Sequence, residues 1–411
     1  MRMVSSTSTQ VLSVVILISL ACGVSCRRTS AGSGTSNAPA PSNSLSLEQF
    51  RPKPNLNVES HRLKRAKFPV VDVHTHFQIK LRGGTAGVDD YVRIMDRNGI
   101  AISVSLDGRL GDEGRDHERL LWTKYKDRFL IFAAIDWLGD GKREDPASWD
   151  CNQPDFARRM REWLQRGRER GVSGVKVFKE LGLEVPRPNG TLAPIDDPRW
   201  DPIWESCGSL GLPVLMHVAD PAAFFLPLDA TNERWEELHR HPEWSFHDPR
   251  FPRREQLFRD WLRVVARHPA TTFVGAHMAN NPENLAEVAG WLDAHPNLYV
   301  ELASRIGELG RQPYTAREFL TKYADRVLFG TDGPWPEQRL RYYWRFLETR
   351  DEYFPYSEKS FPPQGFWRIY GTELPDAVLR KIYHENAIRI IPGARERLER
   401  LQSVAPPRHS E

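Results

Sequence analysis

From residue 67 onward the chain repeats one pattern: a short apolar run, a loop, then a stretch whose apolar residues return at helical spacing. The runs are FPVVDVH (68–74), IAISVSL (100–106), FLIFAAID (129–136), VSGVKVF (172–178), LPVLMHV (212–218), TTFVGAH (271–277), NLYVEL (297–302) and RVLFGTD (326–332). Between them lie amphipathic segments such as DDYVRIMDRNG, FARRMREWLQRGRERG and PENLAEVAGWLDAHP. Strands apolar on both faces that alternate with helices predict a parallel sheet covered by helices. Eight such units over about 260 residues suit an α/β fold of the (β/α)8 or TIM-barrel type. An open doubly wound sheet is the alternative, but no glycine-rich phosphate loop follows the first run.

Two connections are too long for plain crossovers, which predicts long loop insertions after strands 5 and 8. Residues 219–256 carry Phe224, Phe225, Trp235, Trp244, Phe246 and His247, and residues 333–374 carry Trp335, Tyr342, Tyr343, Trp344, Tyr353, Phe354 and Trp367. Both follow strand ends, so both belong to the barrel face where active sites form. Loops of that length are expected to be lids or pocket walls, with part of the aromatic set simply packing helices onto the barrel.

The front of the chain departs from the pattern. Arg2 and then VLSVVILISLA (11–21) make a positive start and an apolar core too short to span a bilayer comfortably. Residues 1–26 are therefore expected to be a signal segment. It resembles a bacterial lipoprotein signal, with Cys22 as the favoured lipidated residue, and Cys26 or ordinary signal-peptidase cleavage as rivals. That resemblance implies export and a membrane-anchored lipoprotein facing the periplasm. Residues 27–66 begin with RRTSAGSGTSNAPAPSNSLS, a composition that cannot bury a core, and are expected to be a flexible linker and lead-in. The barrel is assigned to 67–400 and a tail to 401–411.

Charge narrows the partners. Lys plus Arg number 57 against 54 Asp plus Glu, a net +3 with no like-charge block, which argues against nucleic acid. A small-molecule substrate is expected, with membrane contact only through the anchor; a homo-oligomer is left open. Cys151 and Cys207 are the thiols of the globular part, and two buried thiols are expected rather than a bridge.

The chemistry gathers at the strand ends. The first run ends in His74 and His76, the fifth in His217, the sixth in His277 and the eighth in Asp332. Residues i and i+2 of a strand share a face, so His74 and His76 point one way, Val73 and Thr75 the other. Two imidazoles on one face can share a metal. Four histidines and an aspartate at one barrel mouth are hard to explain as packing, because buried charge is costly unless paired or metal-bound. On the fourth strand, alternation sets Gly174, Lys176 and Phe178 on one face and Val175, Val177 and Lys179 on the other. If the valines pack outward, Lys176 points into the mouth. Arg305, just past the seventh strand, could clamp a carboxylate or pair with Glu301 or Glu308. Lys179, at the strand's end, is a second candidate for the mouth or a solvated surface residue, and Asn280 and Asn281 are pocket or turn residues.

DVHTHF, LMHVAD, GAHMAN and FGTDGP, in that order, resemble the amidohydrolase superfamily over most of residues 68–392, and most of all its amidohydrolase-2 branch. That branch includes aminocarboxymuconate-semialdehyde decarboxylase, resorcylate decarboxylase and dicarboxylate lactonases. HENAIRII (384–391) is similar to the helix that closes the barrel there. Carried over, the resemblance implies that His74, His76, His217 and Asp332 bind one divalent metal, with zinc favoured and manganese or iron also suited. It implies that His277 stays unligated, to polarise a substrate oxygen or move a proton, and that Asp332 passes a proton to the leaving group. VKVF resembles the strand that carries a carboxylated, metal-bridging lysine in hydantoinases. For Lys176, a cation for a substrate carboxylate is favoured over that bridge.

The expectation is a metal-dependent hydrolase that activates water against an ester, lactone or amide whose body is aromatic or carboxylate-bearing. The same scaffold also supports decarboxylation of an aromatic or unsaturated acid. A binding protein without turnover is a third reading, and it predicts a missing ligand where none is missing.

Overall fold

In a computed structural model, residues 45, 46, 49, 50, 52–80, 84–359 and 364–404 are described. The expected signal segment, with Cys22 and Cys26, the start of the linker and residues 405–411 lie outside the described residues. The fold below is that of the unit Asn55–Glu411.

All eight expected strands form. They are β1 (Val70–Thr75), β2 (Ile100–Arg109), β3 (Phe129–Ala134), β4 (Gly174–Val177), β5 (Val214–Met216), β6 (Phe273–Gly275), β7 (Leu298–Glu301) and β8 (Val327–Leu328). They pair in parallel in chain order. The sheet then curls until its ends meet: Val73 N–H donates to Phe329 O at 3.0 Å, His76 N–H donates to Gly333 O at 2.6 Å, and Thr75 bridges Gly333. The result is a (β/α)8 barrel.

Two apolar layers hold it. Val71, Ile102, Val104, Leu130, Phe132, Leu215, Val274 and Leu328 fill the interior, and Ala387, Ile391, Ala394 and Leu398 join them from the C-terminal helices. The HENAIRII stretch thus closes the end of the barrel at the strand starts. Val70, Ile131, Val175, Val177, Val214, Phe273 and Val300 face outward into the helix layer. The helices carry the matching stripe. Phe156–Arg170 buries Phe156, Met160, Leu164 and Gly167 and stops at Gly171, whose φ of 111° suits a left-handed cap.

The long connections resolve differently. The segment after β5 holds only short helical turns, Ala222–Phe225, Trp235–Arg240 and Pro242–Trp244. The segment after β8 opens with a regular helix, Glu337–Glu348, so Tyr343 and Trp344 are buried packing residues rather than pocket wall. Trp344 stacks on Phe329 with ring centroids 5.1 Å apart. Cys151 and Cys207 are free and buried, and burial pushes both thiols up, Cys151 to about 12.

The alternation expected for the first strand needs correction. Asp72 pairs with Ser103 and Thr75 with Ser105, so three steps on β1 oppose two on β2: a bulge. Val71 lies opposite Ile102, and both belong to the interior, as does Val73. The extra residue lets the histidines take that same inner side. Val73 therefore does not face away from them.

Candidate metal centre

Each histidine of the first strand is held by a carboxylate. His74 Nδ1 lies 3.0 Å from Glu301 Oε1, and His76 Nδ1 lies 2.6 Å from Asp107 Oδ1. Glu301 also accepts the N–H groups of His277 (2.6 Å) and Ala303 (2.5 Å), and Asp107 accepts that of Gln78 (2.7 Å). Burial pushes Glu301 up to about 7, while those two backbone donors and Lys176 pull it down. A carboxylate so surrounded by N–H groups acts as an acceptor, so each imidazole carries its proton on Nδ1. Both Nε2 atoms are then bare lone pairs, and they face each other at 3.2 Å.

Two lone pairs that close repel unless a cation lies between them. Nitrogens at 2.0–2.1 Å from a tetrahedral zinc ion would be about 3.3 Å apart. Asp332 Oδ1 stands 3.5 Å from His76 Nε2 and 3.9 Å from His74 Nε2, which completes a group of three able to hold an ion. The carboxylate–histidine pairs are the outer partners that metal-ligating imidazoles use. The residues therefore fit a divalent metal.

The backbone is bent to build this mouth. Asp332 has φ of 58° and Ser304 of 55°, both left-handed, and Ser304 Oγ donates to Asp332 Oδ2 at 3.2 Å. Four consecutive residues, His277 to Asn280, have φ between 54° and 58°. Left-handed non-glycine residues are costly and cluster at functional sites. At Gly330 a Cβ would sit 2.4 Å from Glu301 Oε2 and 3.1 Å from His74 Cβ, so only glycine lets the chain pass between them.

His217 and His277 flank the group. His277 and His74 have ring centroids 4.8 Å apart, and His277 and His217 4.5 Å apart. His277 Nδ1 lies 2.8 Å from Ala303 O, a pure acceptor, so Nδ1 is the donor and Nε2 the lone pair. Burial keeps His277 well below its ordinary range, with His217 and Arg305 adding to the effect. A neutral ring of that tautomer takes a proton; it does not donate one to polarise an oxygen. His217 stands beside the three-residue group rather than within it, its Nε2 3.3 Å from Asp220 Oδ1. Burial lowers His217 to about 4, with Asp220 opposing. Donation from Nε2 leaves Nδ1 as the lone pair of that ring. Asp220 also meets Lys179 Nζ at 2.5 Å, and although burial alone would raise it, His217 and Lys179 hold it well below the usual carboxylate range.

Of the other expected residues, Lys176 points inward. It is fully buried, its Nζ has no hydrogen-bond partner among the described residues, and it lies 5.0 Å over the Phe178 ring. Burial pushes it down to about 8, while Glu301, Asp332 and Asp107 hold it up. Arg305 is buried and pairs with neither expected glutamate; Nη1 donates to Ser304 O at 3.0 Å and Nε has no partner among the described residues. Asn280 and Asn281 are turn residues: Asn280 Oδ1 accepts Val218 N–H at 3.0 Å, and Asn281 Oδ1 accepts from Arg254 at 3.1 Å. Sequence reasoning missed Asp107, Asp220, Glu301 and Asp72 as site residues. Strand-end carboxylates such as those in SLDG and YVEL were the available signal.

A family model described as Amidohydrolase matches residues 71–393. A search of curated proteins finds no match. Among solved structures, the chain is similar to 2,6-dihydroxybenzoate decarboxylase complexed with 2,6-dihydroxybenzoate, at 19% identity and a TM-score of 0.45 over 79% of this chain and 99% of that one. It is similar to a dihydroxybenzoic acid decarboxylase from a Polaromonas species with bound manganese and 2-nitroresorcinol, at 18% identity and a TM-score of 0.48 over 79% and 96%. A third is 4-oxalomesaconate hydratase from Rhodopseudomonas palustris, at 15% identity and a TM-score of 0.48 over 81% and 98%.

Proposed function

The chain belongs to the amidohydrolase family of metal-dependent enzymes, and from that premise we propose that it hydrolyses an ester, lactone or amide whose body is aromatic or carries a carboxylate. The observation that supports this most is the pair of bare Nε2 atoms 3.2 Å apart on His74 and His76, beside Asp332. His217, through Nδ1, would complete the ligand set. A divalent ion held by these residues would act as a Lewis acid able to lower the pKa of water from 15.7 to about 7. Asp332, whose Oδ1 lies 3.5 Å from His76 Nε2, would accept a proton from the attacking water and hand it to the leaving group. His277 Nε2 offers a second acceptor. Lys176 and Arg305, buried cations with unpartnered nitrogens, hold a substrate carboxylate.

Isotope labelling tests the reading. In oxygen-18 water, a cyclic or aryl ester or amide with a carboxylate should give product carrying the label. Release of carbon dioxide from an aromatic acid without label would replace hydrolysis with decarboxylation, which the same ligands serve.

A further inference from the structure

We propose that Asp72 is a positioning residue that sets the two halves of the metal centre against each other, at the seam where the first and last strands close the barrel. This rests on His74, His76 and Asp332 being the ligands. Asp72 is fully buried. Its Oδ1 accepts the N–H of His74 at 3.2 Å and the N–H of Thr331 at 3.1 Å, and its Oδ2 accepts the Thr331 hydroxyl at 2.5 Å. One carboxylate thus grips the residue that opens the His74–His76 pair and the residue just before Asp332.

The grip falls where the ladder fails. The β1 bulge runs from Asp72 to Thr75, and there the His74 N–H takes a side-chain oxygen instead of a strand carbonyl. On the other side, β8 ends at Leu328, and the chain beyond it turns left-handed at Asp332. Neither stretch has a regular register of its own. A buried N–H left without an acceptor is costly, so the Asp72 oxygens select the one backbone arrangement that satisfies both. That arrangement puts the His74 and His76 rings and the Asp332 carboxylate within a few ångströms of one point. Thr331 extends the grip, since its hydroxyl also accepts the Gly333 N–H at 3.1 Å.

The test is metal affinity, measured with Zn(II) in competition with a chromogenic chelator, alongside the melting temperature of the metal-free protein. Asp72→Ala is expected to weaken zinc binding about 10- to 100-fold, the range found when outer partners of ligands are removed. Asp72→Asn, which keeps an acceptor oxygen for both N–H groups, is expected to restore most of that loss. Val71→Ala, at a buried residue of the interior apolar cluster with no polar side-chain atom to offer the ligands, lowers the melting temperature by losing core contacts and should leave affinity unchanged. If Asp72→Ala does not fold, Thr331→Val, which removes the hydroxyl donor, should still weaken binding. Wild-type affinity in Asp72→Ala, or in Thr331→Val where the first does not fold, overturns the proposal. So does equal weakening in Asp72→Ala and Val71→Ala, which would mark a general loss of stability. A wild-type protein that binds no zinc or manganese would overturn the ligand reading itself, and Asp72's role with it.

Discussion

Two side chains carry distinct chemistry although they share one mouth. His277 is fixed by Ala303 O as an Nδ1–H tautomer, and its Nε2 is an acceptor. Asp332 joins His74 and His76 in one candidate group, whereas the second, His74, His277 and Glu301, has its Glu301 oxygens already taken by the His277 and Ala303 N–H groups. His277→Ala should therefore keep its metal and lose about 10²- to 10⁴-fold in kcat, the usual contribution of a positioned acid–base group. Asp332→Ala should lose the metal. Elemental analysis decides, and equal depletion in both variants would make His277 a ligand. Lys176 has a different signature. Removing a charged hydrogen-bond partner costs about 1.5–3 kcal/mol, so Lys176→Met should raise KM for an anionic substrate about 10- to 100-fold. Burial has already lowered Lys176 to about 8, and a bound divalent cation pushes the same way. Its charge is present below that value and lost above it. KM in the wild type should thus climb as pH rises toward 8 from below, and the climb should vanish in Lys176→Met. A KM profile unchanged by the substitution would remove Lys176 from the substrate site.

At the level of elements, the left-handed turn His277–Asn280 stands out because each such residue costs about 1–2 kcal/mol. Something must hold it. Arg254, from the helix Arg254–Arg267, donates Nη2 to Asn280 O at 2.5 Å, Nη1 to Asn281 Oδ1 at 3.1 Å and Nε to Asp220 O at 3.1 Å. One buried guanidinium therefore ties the turn bearing His277 to the loop bearing the partner of His217. Burial lowers its pKa, and Glu283 and its other acidic neighbours counter this. Arg254→Met should destabilise the protein by about 3–5 kcal/mol, as breaking a buried ionic network does. Urea unfolding measures it. Since the turn also aims His277, kcat should fall in the refolded variant while metal content stays near one. An unfolding midpoint equal to wild type would mean the turn holds itself.

On the scale of the whole molecule, the barrel explains how a candidate site is assembled from side chains more than two hundred residues apart. Strand ends converge on one face, and buried ties cross between the loops that rise from it, such as Arg234 after β5 with Glu308 after β7 at 2.5 Å. Among the described residues no helix is long and apolar enough to cross a membrane. We propose that the apolar run ending at Cys22 and the polar tether behind it deliver this barrel to the periplasm on a lipid anchor. Mass spectrometry of the mature N-terminus should find an acylated Cys22. An unmodified terminus downstream of Cys26 would instead make the exported enzyme soluble.

Hydrophobic periodicity alone specified eight strands, because a barrel strand buried on both faces must be apolar throughout its length. The same spacing brought His74, His76, His217, His277 and Asp332 to one mouth, because parallel strands all end on the same side. Alternation also aimed Lys176 inward, since the valines beside it belong against the helices. Other features were decided only by tertiary contact. The β1 bulge is invisible in VVDVHTHF, because a local pattern does not show which neighbouring residue lies opposite. The proton positions of His74, His76 and His277 depend on Glu301, Asp107 and Ala303, which are distant in sequence and adjacent only once the barrel closes. Tautomers, bulges and left-handed turns are set by partners across the fold, and those partners exist only when the chain has come together.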